Sequence, residues 1–221
     1  MNKPDVRVMC PNCRGISFKV PVGEYAVCEL CKYRWLPENA FTKDWFFNQK
    51  MQEYANLIYR SMWNISGIQR NLGELDKERG IDIKLTLESG LTIDIQEKFR
   101  RNHYIKFWQF TIEYKNDPRK NEPGEFYKLA ANYYFYSYSN IKENGFKYWW
   151  LIDLNRFKNS YNDGILMNDD ILQNGEHGKA NALCFDFNNQ YLKDCYFRDS
   201  QHIKPIQGEL WDSANSQSPT K

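Results

Sequence analysis

Few folds can accommodate the stretch Gly80 to Arg101, GIDIKLTLESGLTIDIQEKFRR. Ile81, Ile83, Leu85 and Leu87 alternate with Asp82, Lys84 and Thr86, and Leu91, Ile93, Ile95 and Phe99 alternate with Thr92, Asp94, Gln96 and Lys98. Strict alternation is the mark of a half-buried strand, so the stretch predicts a β-hairpin. If Leu87 faces Leu91, Glu88, Ser89 and Gly90 form a three-residue loop whose left-handed last position is the glycine. Asp82 then opposes Gln96, and Asp82, Gln96 and Lys98 share one face while the aliphatic residues build a core. A two-residue turn at Ser89-Gly90 would oppose Ile83 with Gln96 and mix apolar with polar on both faces.

Upstream, Cys10-Pro-Asn-Cys13 and Cys28-Glu-Leu-Cys31 are two C-x2-C knuckles separated by fourteen residues. Four thiolates at this spacing suit tetrahedral Zn2+, and residues 1–36 resemble a zinc ribbon. Two disulfides are the alternative, disfavoured in a chain expected to be intracellular and cytoplasmic that also carries the unrelated Cys184 and Cys195. A ribbon can contact DNA or a protein partner, or can serve only as a metal-dependent structural knob. No run approaches the roughly 20 apolar residues that span a bilayer, so no membrane association is expected.

With 221 residues the chain can hold one sizeable core beyond the ribbon. After the junction Leu36-Pro37-Glu38-Asn39, Thr42 to Trp63 predicts a helix with Phe47, Met51, Tyr54, Ile58 and Met62 as its buried stripe. Residues 64–79 read as a loop leading into the hairpin. Tyr104 to Lys115 predicts a third strand, Glu125 to Tyr138 a helix, and Phe146 to Leu154 a strand covered on both sides. Ala182–Phe187 and Tyr191–Phe197 suggest a second hairpin, and residues 208–221 a disordered tail. The expected architecture is α/β, an αβββαβ core with a mixed sheet over residues 37–207, preceded by the small zinc ribbon.

That order, with Asp82 beginning one strand and Gln96-Glu97-Lys98 ending the next, resembles the restriction-endonuclease-like, or PD-(D/E)XK, nuclease superfamily. The resemblance spans about 110 residues and implies Mg2+ or Mn2+ bound by Asp82, Gln96 in the acidic slot, and Lys98 orienting or activating the attacking water. Three departures stand out. Gln96 is neutral, as in Gln-x-Lys variants of the family, which weakens metal binding. Glu97 stands where an apolar residue is usual, on the core face of the predicted register; its carbonyl could coordinate metal, and a bulge would let its carboxylate swing in. Ile81 replaces the proline.

Phosphodiester hydrolysis needs charge stabilisation and an activated water, which an oxygen-ligated divalent cation and a nearby ammonium supply. Asp94, Glu113, Asp76 and Glu53 are further acidic candidates. Glu113 is expected near Thr92, Asp76 as a cap of the entering loop ahead of a reach to a second metal, and Glu53 as a solvated residue that could reach the site. Lys98, Arg100, Arg101, His103 and Lys106 form the densest basic run, with Arg100, Arg101 and Lys106 as candidate phosphate contacts. The plain alternative for the polar face is a solvated sheet surface with Lys84 and Asp94 as a cross-strand ion pair. His103, His177 and His202 lack ligand spacing, and phosphate-binding glycine motifs are absent. The resemblance thus implies a Mg2+-dependent DNA endonuclease, possible as a homodimer; the other class is a noncatalytic nucleic-acid-binding or assembly protein.

Overall fold

The computed structural model describes residues 5–8, 18–21, 26–32, 34–35, 40–70, 72–73, 78–117, 122–173 and 180–200. It divides into two compact units, Met1–Asn56 and Leu57–Lys221. The protein is mixed α/β.

The first unit contains two antiparallel ladders: β1 (Asp5–Val8) on β2 (Phe18–Pro21), and β3 (Ala26–Val27) on β4 (Arg34–Trp35). Between β3 and β4 the chain folds back as Lys32 donates its N–H to the Cys28 carbonyl at 2.8 Å, with Lys32 in the left-handed region at φ 57. Helix α1 (Ala40–Met62) begins two residues before the predicted start. Its buried positions are Phe47, Met51, Ala55, Ile58 and Tyr59, whereas Tyr54 of the predicted stripe is only partly buried. Among the described residues no helix is long and apolar enough to cross a membrane.

The second unit is built on a six-stranded mixed sheet. Strands β5 (Ile65–Arg70), β6 (Ile83–Leu87) and β7 (Thr92–Arg100) form an antiparallel meander. Strand β10 (Tyr133–Ser139) joins β7 in parallel, and β11 (Phe146–Asp153) and β14 (Tyr196–Asp199) extend the sheet antiparallel. A second sheet of four strands has the order β12 (Asp170–Gln173), β13 (Asn181–Asp186), β8 (Gln109–Asp117), β9 (Glu122–Pro123). Aromatic rings fill the core on the face of the large sheet that carries Tyr134 and Tyr136. Phe110 of β8 lies 5.2 Å from Tyr134, 5.3 Å from Tyr136 and 5.4 Å from Phe157 of helix α3 (Leu154–Asn162).

Four expected elements are corrected. Residues 65–70 form an edge strand rather than a loop; ISGIQR is too polar to show alternation, and its pairing with β6 supplies what propensity lacks. The predicted third strand begins as a 3-10 helix (Asn102–Phe107), after which Trp108, at φ 49, turns the chain into the second sheet. The predicted helix over 125–138 stops as α2 (Glu125–Lys128), and the YYFYSYS that follows is the central strand β10. A run apolar or aromatic at nearly every position satisfies helical spacing by default; β propensity and burial on both faces decide it. The expected second hairpin is instead β13 in one sheet, helix α4 (Gln190–Lys193) and β14 in the other. Helix α3, not anticipated, starts where the Asp153 carboxylate accepts the N–H groups of Asn155 and Arg156, each at 3.0 Å.

Candidate active site

The hairpin adopts the predicted register. Ile83 pairs with Ile95, Lys84 with Asp94 and Leu85 with Ile93, and the Leu87 N–H reaches the Leu91 carbonyl at 2.9 Å. Gly90 closes the loop at φ 85, donating to the Leu87 carbonyl at 2.9 Å. Extended past the ladder, this register sets Asp82 opposite Gln96. The Asp82 N–H donates to the Ile95 carbonyl at 3.1 Å, and Asp82 Oδ2 accepts the Glu97 N–H at 2.8 Å. The carboxylate thereby ties the open end of the hairpin.

The parallel partner β10 continues that face, with Tyr134 beside Gln96 and Tyr136 beside Lys98. From the second sheet, Glu113 brings Oε1 within 3.7 Å of Lys98 Nζ. Glu125 joins through a close approach at Gly124, whose N–H donates to the Tyr114 carbonyl at 2.9 Å. A Cβ on Gly124 would lie 2.5 Å from the Glu113 carbonyl oxygen, so only glycine fits. Glu125 Oε1 accepts the Tyr134 hydroxyl at 3.0 Å. Gly80, Gln96, Lys98, Glu113, Glu125 and Lys128 line a cavity of about 300 Å³.

Burial pushes the Glu125 carboxyl above its ordinary range; Lys98 opposes the shift and Glu113 adds to it. The Tyr134 phenol is driven well up by burial, then by Glu125 and by Asp82, so it remains a neutral donor. Gln96 Oε1 is buried and receives no hydrogen bond.

Glu97 is placed elsewhere. Its side chain lies on the opposite face, where Oε1 accepts the Tyr59 hydroxyl at 2.8 Å and Arg70 Nη2 at 3.0 Å, and Oε2 pairs with Arg70 Nη1. The carboxylate is 2 % exposed and does not swing into the cleft. Burial, followed by the Glu97 charge, raises the Tyr59 phenol. Asp94 pairs with Lys84 at 3.7 Å, and its backbone N–H is held by Asn132 Oδ1 at 2.8 Å, so the cross-strand ion pair is real but peripheral. Glu113 faces Lys98 rather than Thr92, because β8 leaves the large sheet. Glu53 is exposed on the first unit, and Asp76 lies outside the described residues.

The expected basic run does not form one surface. Arg100 turns inward, its Nη2 donating to Thr111 Oγ1 at 2.8 Å and its Nε to the Tyr136 hydroxyl at 3.3 Å. Arg101 pairs with Glu143, and Lys106 is exposed over the Phe107 ring at 5.0 Å. Of the four knuckle cysteines, Cys28 is buried and Cys31 partly exposed, while Cys10 and Cys13 lie outside the described residues. The chain matches no family model, no curated protein and no solved structure.

Among the described residues no three His, Cys, Asp or Glu converge as a metal-binding group. The cleft nevertheless offers oxygen donors of the type a hard divalent cation takes, above all the unbonded Gln96 Oε1 beside Glu125 and Glu113. Sequence reasoning missed Glu125, Lys128 and Tyr134. No local spacing signals them; the turn at Gly124 and the parallel strand bring them in.

Proposed function

We propose that the chain is a divalent-metal-dependent nuclease of the PD-(D/E)XK type, acting on DNA. The observation that carries this reading is the convergence of Gln96 and Lys98 with Glu113 and Glu125 in one cleft, beside the hairpin end tied by Asp82. A helix, a three-stranded meander and a parallel fourth strand support it as an element order, although β8, β9 and the four-residue α2 stand where a longer helix is expected.

In this mechanism Asp82, the Gln96 amide oxygen and Glu113 would hold Mg2+ or Mn2+, a cation that would lower the pKa of water and neutralise charge on the phosphate. Lys98, held by Glu113, places an ammonium against the developing negative charge and orients the attacking water. Glu125, protonated more readily than an ordinary carboxyl and fixed by Tyr134, yields a proton during leaving-group departure. With a neutral amide at position 96, metal binding is weak and millimolar cation is required.

The four cysteines of residues 1–36 are proposed to hold one structural Zn2+, the ribbon engaging substrate or a protein partner. A noncatalytic nucleic-acid-binding protein on the same fold is the second reading, favoured by Gln96 and by the absence of a three-carboxylate group among the described residues. Calorimetric titration with Mg2+, wild type against Asp82→Ala, separates the two: Asp82-dependent binding at millimolar metal supports the nuclease, and none supports the second.

A further inference from the structure

The 3-10 turn Asn102–Phe107 buries none of its residues, yet it is anchored at both ends. At its start the Asn102 N–H donates to Ser139 Oγ at 3.1 Å, Asn102 Nδ2 donates to the Ser139 carbonyl at 3.2 Å, and Arg101 pairs with Glu143 of the turn between β10 and β11. At its end the Trp108 N–H donates to the Ile105 carbonyl at 3.0 Å, and the Trp108 indole stacks 6.4 Å from the Tyr138 ring with planes 14° apart. A bulky residue at φ 49 is a backbone outlier, kept there by these surrounding contacts.

Between these anchors the turn presents aromatic rings to solvent. Tyr104 is 40 % exposed and Phe107 57 %, with ring centroids 6.4 Å apart. His103, also exposed, lies 4.2 Å from the Tyr104 ring, and exposed Lys106 holds its ammonium 5.0 Å from the Phe107 centroid. Rings left open on an anchored segment mark a contact surface.

Charge decides what the surface fits. From Arg100 to Trp108 the chain carries no acidic residue, and Glu143, which the neighbouring turn brings up, is paired with Arg101. Rings interleaved with cations suit stacked bases and their phosphates better than an apolar protein partner. The Lys106 contact with Phe107 is a weak surface one; an arriving base displaces it while the ammonium stays within reach of the phosphate. We infer that the 102–107 turn is a stacking platform for single-stranded DNA, with bases on Tyr104 and Phe107 and phosphate at Lys106. The choice of DNA rests on the function proposed above, but the platform needs only binding. Lys98 and Arg100 share a face of β7 about 7 Å apart, and the Arg100 guanidinium carbon lies 5.5 Å from the Tyr104 centroid, so the platform borders the strand that carries Lys98.

The test uses the full chain in buffer without Mg2+ or Mn2+, so that binding is read apart from cleavage, and follows the fluorescence anisotropy of a labelled single-stranded oligonucleotide and of its matching duplex. Wild type is expected to bind the single strand saturably and more tightly than the duplex, and Tyr104→Ala/Phe107→Ala to bind it about tenfold or more weakly. Tyr104→Leu/Phe107→Leu keeps apolar bulk at both positions without a ring, and is expected to lose the same factor with an unchanged urea midpoint. Ring-dependent binding of a strand that added Mg2+ leaves uncut upholds the platform and removes only the nuclease reading. Absence of saturable binding, equal affinity for the duplex, or affinity unchanged in the leucine variant would overturn it, the last assigning the surface to an apolar protein partner.

Discussion

Lys98 Nζ and Glu113 Oε1 lie 3.7 Å apart although their strands belong to different sheets. Lys98 is carried by the hairpin face that Asp82 and Gln96 share, and Glu113 arrives only because the chain turns at Trp108 into the second sheet. Both side chains keep partial exposure, so their attraction contributes below about 1 kcal/mol to stability. Glu113→Gln is therefore expected to leave the urea midpoint nearly unchanged while lowering the DNA cleavage rate by about tenfold to a hundredfold, through a less firmly placed ammonium. A large stability loss with unchanged rate per folded molecule would assign Glu113 a purely structural role.

Glu125 links the site to pH. Its folded carboxyl is raised, chiefly by burial, so the unfolded chain releases this proton first as pH rises. Its contribution to stability is fully present below the ordinary value of 4.5 and is lost as pH climbs through the elevated folded pKa. Glu125→Gln, which cannot ionise, escapes that loss. The variant should gain thermal stability relative to wild type as pH is raised from below 4.5 to neutrality. A Tm difference independent of pH over this range would show that Glu125 ionises normally.

Glu97 illustrates the opposite use of a carboxylate. Bound by Arg70 and Tyr59 away from the cleft, it stabilises the fold as one half of a buried pair. Glu97→Ala removes the carboxylate that faces the partly buried guanidinium and is expected to cost about 3 kcal/mol in urea unfolding. The remaining folded fraction should bind Mg2+ as wild type does. Impaired metal binding in a fully folded Glu97→Gln protein would return this residue to the site.

The ribbon carries its own expectation. Elemental analysis should give about one zinc per chain, and Cys28→Ser should weaken zinc retention. A preparation that folds with no zinc excludes the four-thiolate reading.

The hairpin was legible because a period of two fixes register once a loop length is chosen, and the correct loop is the one that keeps Ile83, Leu85 and Ile95 together. That register was enough to group Asp82, Gln96 and Lys98 and to place Glu97 on the far face. Strand β10 was not legible, because aromatic residues at consecutive positions carry no period. The departure at Trp108 was hidden for another reason: a positive φ at tryptophan has no sequence signature. These two features hide the second sheet from the sequence, and with it the approach of Glu113 and the whole contribution of Glu125 and Tyr134. Polar β5 was lost as an edge strand whose pairing, not its composition, defines it.

Under the proposed function, the Lys98 cleft hydrolyses phosphodiesters with a divalent cation. The most direct test is incubation of supercoiled, linear and single-stranded DNA with wild-type protein and Lys98→Ala, each with and without millimolar Mg2+ or Mn2+. Wild type is expected to cleave at least one substrate in a metal-dependent way, with the rate reduced by about a hundredfold or more in Lys98→Ala. Identical behaviour of the two proteins on every substrate would contradict it.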